Sequence, residues 1–175
     1  MTTRAISLGK DFDIVWCTGG DFVVGPLTGN RICMKNYSHV TFVLASLAGN
    51  GTTDDVTVDL QQYTAYTGGT TADLDIVTTY YIRGETTLDG NEDWTKTTQT
   101  EASEITAIAG TQELQNLLII EVHRDQLSDG YTHIGLNALD FGSTDVKYGV
   151  IIAICHLLTP RDPQILPYAL TGANP

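Results

Sequence analysis

Apolar residues along this chain fall into short runs separated by turns rich in glycine, asparagine and aspartate. The segment Asn116–Ala138 is the clearest case, because the continuous apolar run Leu117–Val122 is followed by Ser-Asp-Gly at 128–130 and then by apolar residues two apart. An apolar run, a turn signal and a period of two predict two strands joined by a hairpin or a corner in a sheet core.

Other stretches repeat this pattern. Val56–Tyr63 alternates between apolar and polar residues, as a half-buried antiparallel strand does, and it follows the apolar segment His39–Ala48 closely enough to predict a hairpin. Lys147–Leu158 is almost continuously apolar and predicts the most buried strand. Glu92–Thr100 is rich in threonine and predicts an exposed or edge strand. The competing helix is Gly110–Ile120, but its overlap with a continuous apolar run favours a strand.

The chain has 175 residues, which suggests one domain. We expect an all-β fold: an antiparallel β-sandwich or jelly roll of about nine or ten strands, because the turn signals have the spacing of such folds. The expected single domain covers residues 12–158, with an N-terminal arm at 1–11 and a Pro-rich C-terminal arm at 159–175.

The C-terminal arm differs in kind from the rest of the chain. Its prolines forbid regular ladder pairing, yet apolar side chains lie between them. We expect either a strap over its own domain or an arm that docks on a neighbouring molecule. The predicted partner-binding residues are Pro160, Pro163, Ile165, Leu166, Pro167, Tyr168 and Leu170.

The composition fits a folded domain with a weakly charged surface. Hydrophobic residues make up 42% of the chain and charged residues 17%, against an average of about 25% charged. The formal net charge is −12, and the nine basic residues are scattered. Nucleic-acid binding rests on Lys and Arg neutralising phosphates, so we expect neither nucleic acid nor an anionic membrane as partner. The acidic balance fits solubility or docking onto a basic partner.

The three cysteines do not predict a disulfide framework. Cys155 lies in an apolar run and is expected to be buried. Cys17 and Cys33 stay open as a pair, although folding in a reducing cytoplasm is the simpler interpretation. No run approaches the roughly 18 apolar residues of a membrane span, and the first residues lack the apolar core of a signal peptide.

We find no catalytic or cofactor signature, and the expectation is a protein that is not an enzyme and holds no cofactor or metal. The nucleophile elbow, the phosphate loop and the dinucleotide fingerprint are all absent from the sequence. Asp89, Asn91 and Asp93 start like a calcium loop. However, Trp94 stands where that loop needs Gly, and Thr100 stands where it needs a bidentate Glu. An ordinary polar turn is therefore expected.

Two weaker patterns compete with simple structural roles. His123 and His133 would face each other in a hairpin and, with a nearby carboxylate, form part of a zinc site, but no compact ligand spacing supports it. Cys155 and His156 are adjacent, so they would point to opposite faces of a strand and do not form a nucleophile–base pair.

Five aromatic residues are candidates for a sugar-stacking platform. Scattered aromatic residues on strands are more often core or interface residues. The five are Trp16, Tyr80, Tyr81, Trp94 and Tyr131.

Four stretches together resemble small virion structural proteins of tailed bacteriophages. The pattern is a hydrophobic strand, a Gly/Thr loop, an alternating strand and later an IEV…L-x-D-G-Y turn into another strand. The stretches are DIVWCTGGDFVVGPL, YSHVTFVLASLAGNGTTDDVTVDLQQ, LLIIEVHRDQLSDGYTHIGLNALD and GVIIAICHLLTPRDP.

This resemblance implies a capsid decoration or cement protein with a β-sandwich or jelly-roll fold. Such a protein would be a homotrimer or homodimer, would bind the major capsid protein on the outer capsid surface, and would assemble in the host cytoplasm. The alternatives are a tail or neck structural protein of a phage particle and a carbohydrate-binding fibre module.

Overall fold

A computed structural model describes residues 9–22, 25–49, 57–105, 114–139 and 147–159. These residues form eleven strands and two three-residue 3-10 turns. The strands are β1 (Phe12–Asp21), β2 (Ile32–Cys33), β3 (Tyr37–Ser46), β4 (Val58–Tyr63), β5 (Thr71–Asp73), β6 (Val77–Glu85), β7 (Thr95–Ala102), β8 (Glu104–Ile105), β9 (Gln115–His123), β10 (His133–Ala138) and β11 (Tyr148–Leu157). Within these ranges, no helix has the length and apolar character needed to cross a membrane.

The strands form two antiparallel sheets packed around one hydrophobic core, which confirms the predicted all-β sandwich. One sheet has six strands in the order β1-β11-β3-β9-β6-β7. The other has the order β2-β10-β4-β5, with β8 also paired to β4, making five strands. A single cluster of buried side chains contains residues from both sheets.

The connectivity is that of a jelly roll. Three antiparallel pairs join the first part of the chain to the last, namely β1 with β11, β2 with β10 and β3 with β9, and the consecutive strands β4 and β5 pair as the fourth. A long hairpin rolled up in this way places successive pairs alternately in the two sheets. The pair β6 and β7 is added beside β9 and widens the first sheet.

Long-range pairing corrects one expectation and decides between the alternatives of another. Strands β3 and β4 do not form a hairpin, because they lie in different sheets. The segment 116–138 is a corner between the sheets, since β9 belongs to one and β10 to the other, with a 3-10 turn at Arg124–Gln126 between them. Both runs were adjacent in sequence, but strand periodicity does not specify the pairing partner.

Element types were predicted better than element number. The strand interpretation of 117–122 is confirmed against the helix, and the threonine-rich β7 is an edge strand as expected. The described ranges contain eleven strands where about nine or ten were expected, and the three-residue strand β5 is one that the sequence did not indicate. Short strands carry too few residues for a detectable period.

The core takes alternate residues from each strand. The prediction that Cys155 is buried is confirmed, as is the opposite orientation of the half-buried His156. All three cysteines are buried and free. Strand β11 is not the most buried strand, because its alternate residues stay partly exposed, whereas five of the six residues of β10 are buried. The apolar run of β11 gives it two apolar faces, of which only one packs in the core.

Candidate interaction surface

The side of the six-stranded sheet that faces away from the core, on strands β1, β11, β3, β9 and β6, is called the outer face here. Because these strands are in register, its side chains line up in rows across the sheet. The central row is Trp16, Ile152, Val43, Ile119 and Tyr81, and it ends at Lys96 on edge strand β7. The flanking rows are Ile14, Ile154, Thr41 and Glu121 on one side, and Val150, Ala45, Leu117 and Arg83 on the other.

This face is apolar and open. Trp16 is 61% exposed, Ile14 50% and Tyr81 40%, while the aliphatic residues between them are half-buried beside one another. Of the residues in the central and flanking rows on the five strands, Glu121 and Arg83 alone are charged. An antiparallel sheet with one solvated side normally places polar residues there, and a contiguous exposed apolar patch marks an interaction site.

Trp16 lies on the edge strand, just before an irregularity. The register of β1 against β11 shifts between Trp16 and Thr18. Beyond it, the Trp16 indole lies against Gly19, where a Cβ would be 2.7 Å from the ring. The absence of a side chain at Gly19 therefore lets the indole lie along the sheet.

One end of the outer face forms a shallow hollow of about 400 Å³. Its apolar walls come from the ends of three strands and from the loop that contains Leu88. Two of its residues, Leu47 and Tyr148, are more than half exposed. The hollow extends the apolar surface beyond the central row.

The opposite end carries a row of three histidines on adjacent strands. The imidazole rings of His156 and His39 stack with centroids 3.5 Å apart, and those of His39 and His123 with centroids 5.2 Å apart. Phe12 meets His156 edge-on at 4.6 Å. The Thr41 hydroxyl lies 3.2 Å from His156 Nε2.

Two of these histidines, His39 and His156, have a lowered pKa. Burial lowers the pKa of His39, and the charge that His123 would carry lowers it further, against the opposing effect of Glu121. Burial and then His39 lower the pKa of His156 in the same way. His39 and His156 are therefore held in their neutral, more apolar form down to lower pH than an isolated imidazole.

The structure removes the two-histidine zinc hypothesis. His133 lies on β10 in the other sheet, and the ring that His123 meets is His39. In the described ranges no group of three or more His, Cys, Asp or Glu side chains is placed to hold a metal. The Asp89 turn uses its own carboxylates: Glu92 accepts from the amides of Asp89 and Gly90, and Asp89 accepts from the amide of Asn91.

The five aromatic candidates do not form one platform. Trp16 and Tyr81 share the central row but are four strand spacings apart, about 19 Å. Tyr80 is buried, and Trp94 packs with its ring centroid 4.6 Å from the Arg83 guanidinium. Tyr131 lies in the corner between the sheets.

The seven predicted partner-binding residues, from Pro160 to Leu170, lie outside the described residues. The outer face was not among the predicted sites. Its signal was present in the continuous apolar runs of β9 and β11, which show two apolar faces per strand without telling which partner covers the second.

No protein-family model matches this sequence, and no curated protein matches it. Among solved structures, the crystal structure of the SPBc2 prophage-derived protein YomS is similar over 86% of this chain and 99% of that chain, at 9% sequence identity and a TM-score of 0.31. A TM-score of this size does not establish a common fold, so no property of that protein is transferred to this chain.

Proposed function

We propose that this chain is a structural protein of a tailed-bacteriophage particle, namely a capsid decoration protein that binds the outer capsid surface and stabilises it. The observation that carries the proposal is the open apolar outer face, which a free domain would leave in water. The resemblance of four sequence stretches to small virion proteins supports the assignment to a phage particle. Viral capsid domains also use the jelly roll found here.

The outer face has the dimensions of a protein interface. Five strands about 4.8 Å apart carry five residue rows about 6.8 Å apart, namely the three rows above, the histidine row at one end and the row through Tyr148 at the other, and span roughly 19 by 27 Å, or about 500 Å² in projection. Its accessible area is larger than its projection, and a standard interface buries about 800 Å² per partner. At about 25 cal/mol per Å² of apolar surface, covering this face stabilises an assembly substantially.

The distribution of charge supports two different contacts. The net charge of −12 makes copies of the chain repel one another unless an apolar face holds them together. The acidic remainder suits a basic surface of the major capsid protein. We therefore propose a homotrimer or homodimer built with the outer face, held on the capsid by many weak contacts that add through avidity. Enzymatic activity, nucleic acid and membrane have no place in this proposal.

Binding to capsids assembled without this chain tests the proposal. Val43→Asp places a carboxylate in the centre of the outer face, and Thr71→Asp places one on the exposed edge of the other sheet as the control. We expect the wild type and Thr71→Asp to co-sediment with capsids and raise their melting temperature. We expect Val43→Asp to fold but to bind at least tenfold less. Wild-type protein that neither binds nor stabilises capsids contradicts the proposal, and imaged density at the neck or tail replaces the capsid surface with that location.

Light scattering tests the self-association separately. We expect the wild type and Thr71→Asp to have the mass of a discrete dimer or trimer, and Val43→Asp that of a monomer. A monomeric wild type at the concentrations used for capsid binding contradicts assembly before binding.

A further inference from the structure

We propose that a cavity at the corner between the two sheets binds a small acidic sugar, with Lys35 and Arg124 on its carboxylate and Tyr131 against its ring. The cavity, called the corner cavity here, shares no residue with the strands of the outer face. The site therefore goes beyond the proposed function and does not depend on it.

Two connections between strands form the corner cavity. One is residues 33–35, which lead from β2 into β3, and the other is residues 124–132, which lead from β9 to β10. The Met34 amide donates to the Thr132 carbonyl oxygen at 2.9 Å and so joins the two connections. The cavity has a volume of about 500 Å³, and sites for small molecules usually have about 300–1,000 Å³. The space for a small ligand is therefore already present in the free chain.

One wall of the cavity is a turn that the five-stranded sheet holds in place. The Tyr131 amide donates to the Ser128 carbonyl oxygen at 3.0 Å, and Gly130 between them has a φ of 86°, which favours glycine. The Ser128 amide donates to Oε1 of the buried Gln62 at 2.9 Å, and Gln62 Nε2 donates to the Ser128 hydroxyl at 3.0 Å. Because the turn is fixed in this way, little conformational entropy is lost when a ligand contacts it.

Lys35 and Arg124 bring two positive charges to this cavity. They are two of only nine basic residues in a chain of net charge −12. The Arg124 guanidinium donates to the Lys35 carbonyl oxygen at 3.2 Å, which fixes it beside Lys35. Neither side chain forms an ion pair with a carboxylate of the described residues, whereas Arg83 pairs with Glu92. A ligand carboxylate supplies that partner, because it matches the planar donors of a guanidinium and pairs with an ammonium.

The rest of the lining matches the rest of a sugar. Tyr131 is half-buried, and Met34 and Leu127 add apolar contact area. A sugar ring has an apolar C–H face, which packs on an aromatic ring, and it carries hydroxyl groups, which need acceptors. The exposed Asp129 carboxylate also lines the cavity and accepts such hydrogen bonds.

Asp129 also decides which kind of anion fits. A phosphate group carries a charge of about −1.5 to −2, and both Asp129 and the acidic chain repel that charge more strongly than the single charge of a carboxylate. An acidic peptide side chain would pair with the two cations but would leave Asp129 without a donor. The acidic sugar matches all three kinds of lining group.

Amide NMR titrations of the full chain test the site. The probe is methyl β-glucuronide, and methyl β-glucoside is its neutral match. We expect the glucuronide to cause saturable shifts that are confined to the amides around 33–35 and 124–132. The glucoside should bind about tenfold more weakly, because it lacks the group that pairs with the cations.

Four variants assign the contacts. Lys35→Gln and Arg124→Gln should each weaken glucuronide binding about tenfold, since each removes a charge-assisted hydrogen bond. Lys96→Gln removes the same charge from an exposed position on edge strand β7 and should leave the affinity unchanged. Tyr131→Ala should weaken the binding of both sugars, because both rings pack on the same side chain. Amide spectra recorded without ligand check that each variant keeps the fold.

Three results overturn the proposal. They are no saturable shifts with the glucuronide, shifts that map to other residues, and equal affinity for the glucuronide and the glucoside. Unchanged affinity in Arg124→Gln contradicts the role of the cations. Glucose 6-phosphate is the third probe, and tighter binding of it than of the glucuronide would replace the carboxylate with a phosphate. The titrations contain no capsid, so failure here leaves the proposed function standing.

Discussion

The two sheets of the sandwich present opposite kinds of surface to the outside. On the five-stranded sheet, Gln61 donates to Asp59 at 2.6 Å and to Asp73 at 3.2 Å, so the polar side chains bind one another. On the six-stranded sheet, the corresponding surface is the open apolar row around Val43 and Ile152. The polar surface of the five-stranded sheet is satisfied by hydrogen bonds within the domain. No contact described for the apolar surface of the six-stranded sheet covers it.

Long side chains also cover the polar surface of the five-stranded sheet. The Arg31 guanidinium lies 4.0 Å from the Tyr63 ring centroid and donates to the carbonyl groups of Ala65 and Gly68. Burial raises the pKa of Asp59, while hydrogen bonds from Ser103 and Gln61 act against that shift. The comparison shows that two sheets that share one apolar core differ in what their outer surfaces require from a partner.

The largest expected effect comes from two adjacent leucines on β9 that point to opposite sides. Leu118 is 1% exposed in the core, and Leu117 is half-buried on the outer face. In denaturant unfolding in the Val43→Asp background, which is expected to be monomeric, Leu118→Ala should cost about 2–5 kcal/mol. Leu117→Ala should cost less than about 1 kcal/mol, since one side of that leucine is open. Equal losses would mean that the outer face is as well packed as the core, and the contrast between the faces would be lost.

A second, smaller contrast uses two glycines on paired strands. A Cβ at Gly149 would meet the buried Phe22 ring and lie 2.8 Å from the Ala45 carbonyl oxygen, so Gly149→Ala should cost about 1–3 kcal/mol through overpacking. At Gly19 the nearest group is the Trp16 indole, which has open space to move into. Gly19→Ala should therefore change Trp16 emission with little loss of stability. The same unfolding curve for both variants would contradict this assignment.

The smallest expected effect is on the pH dependence of stability. The folded-state pKa of His39 and of His156 is lowered below the ordinary value, so the unfolded chain takes up protons more readily. Stability that is fully present above about pH 6.5 should then decline as pH falls towards the lowered pKa values. His123 and Glu121 face the same rings and act in opposite directions. Thermal melts between pH 7.5 and 5.5 should show this decline, and a double His39→Gln/His156→Gln variant should flatten it. An unchanged slope in the double variant would exclude the row as its source.

Period and composition were enough to find most strands and their inward residues. Val58 and Leu60 alternate with polar neighbours, and the structure buries both. The same reasoning did not identify which strands lie side by side. It paired His123 with His133, which is near in sequence, whereas the jelly roll places His123 beside His39. Pairing between distant strands depends on how the whole chain rolls up, and no local pattern encodes it.

The interaction surface depends on both the sequence and the tertiary structure. The sequence alone determined that β9 and β11 are apolar on both sides, that β4 alternates, and that the C-terminal segment combines proline with apolar residues. Only the tertiary structure decided which of the two apolar sides faces the core. It also decided that Trp16, Ile152, Val43, Ile119 and Tyr81 form one row. A strand's period assigns side chains to two faces, but the register and order of five separate strands are needed to turn those faces into a surface.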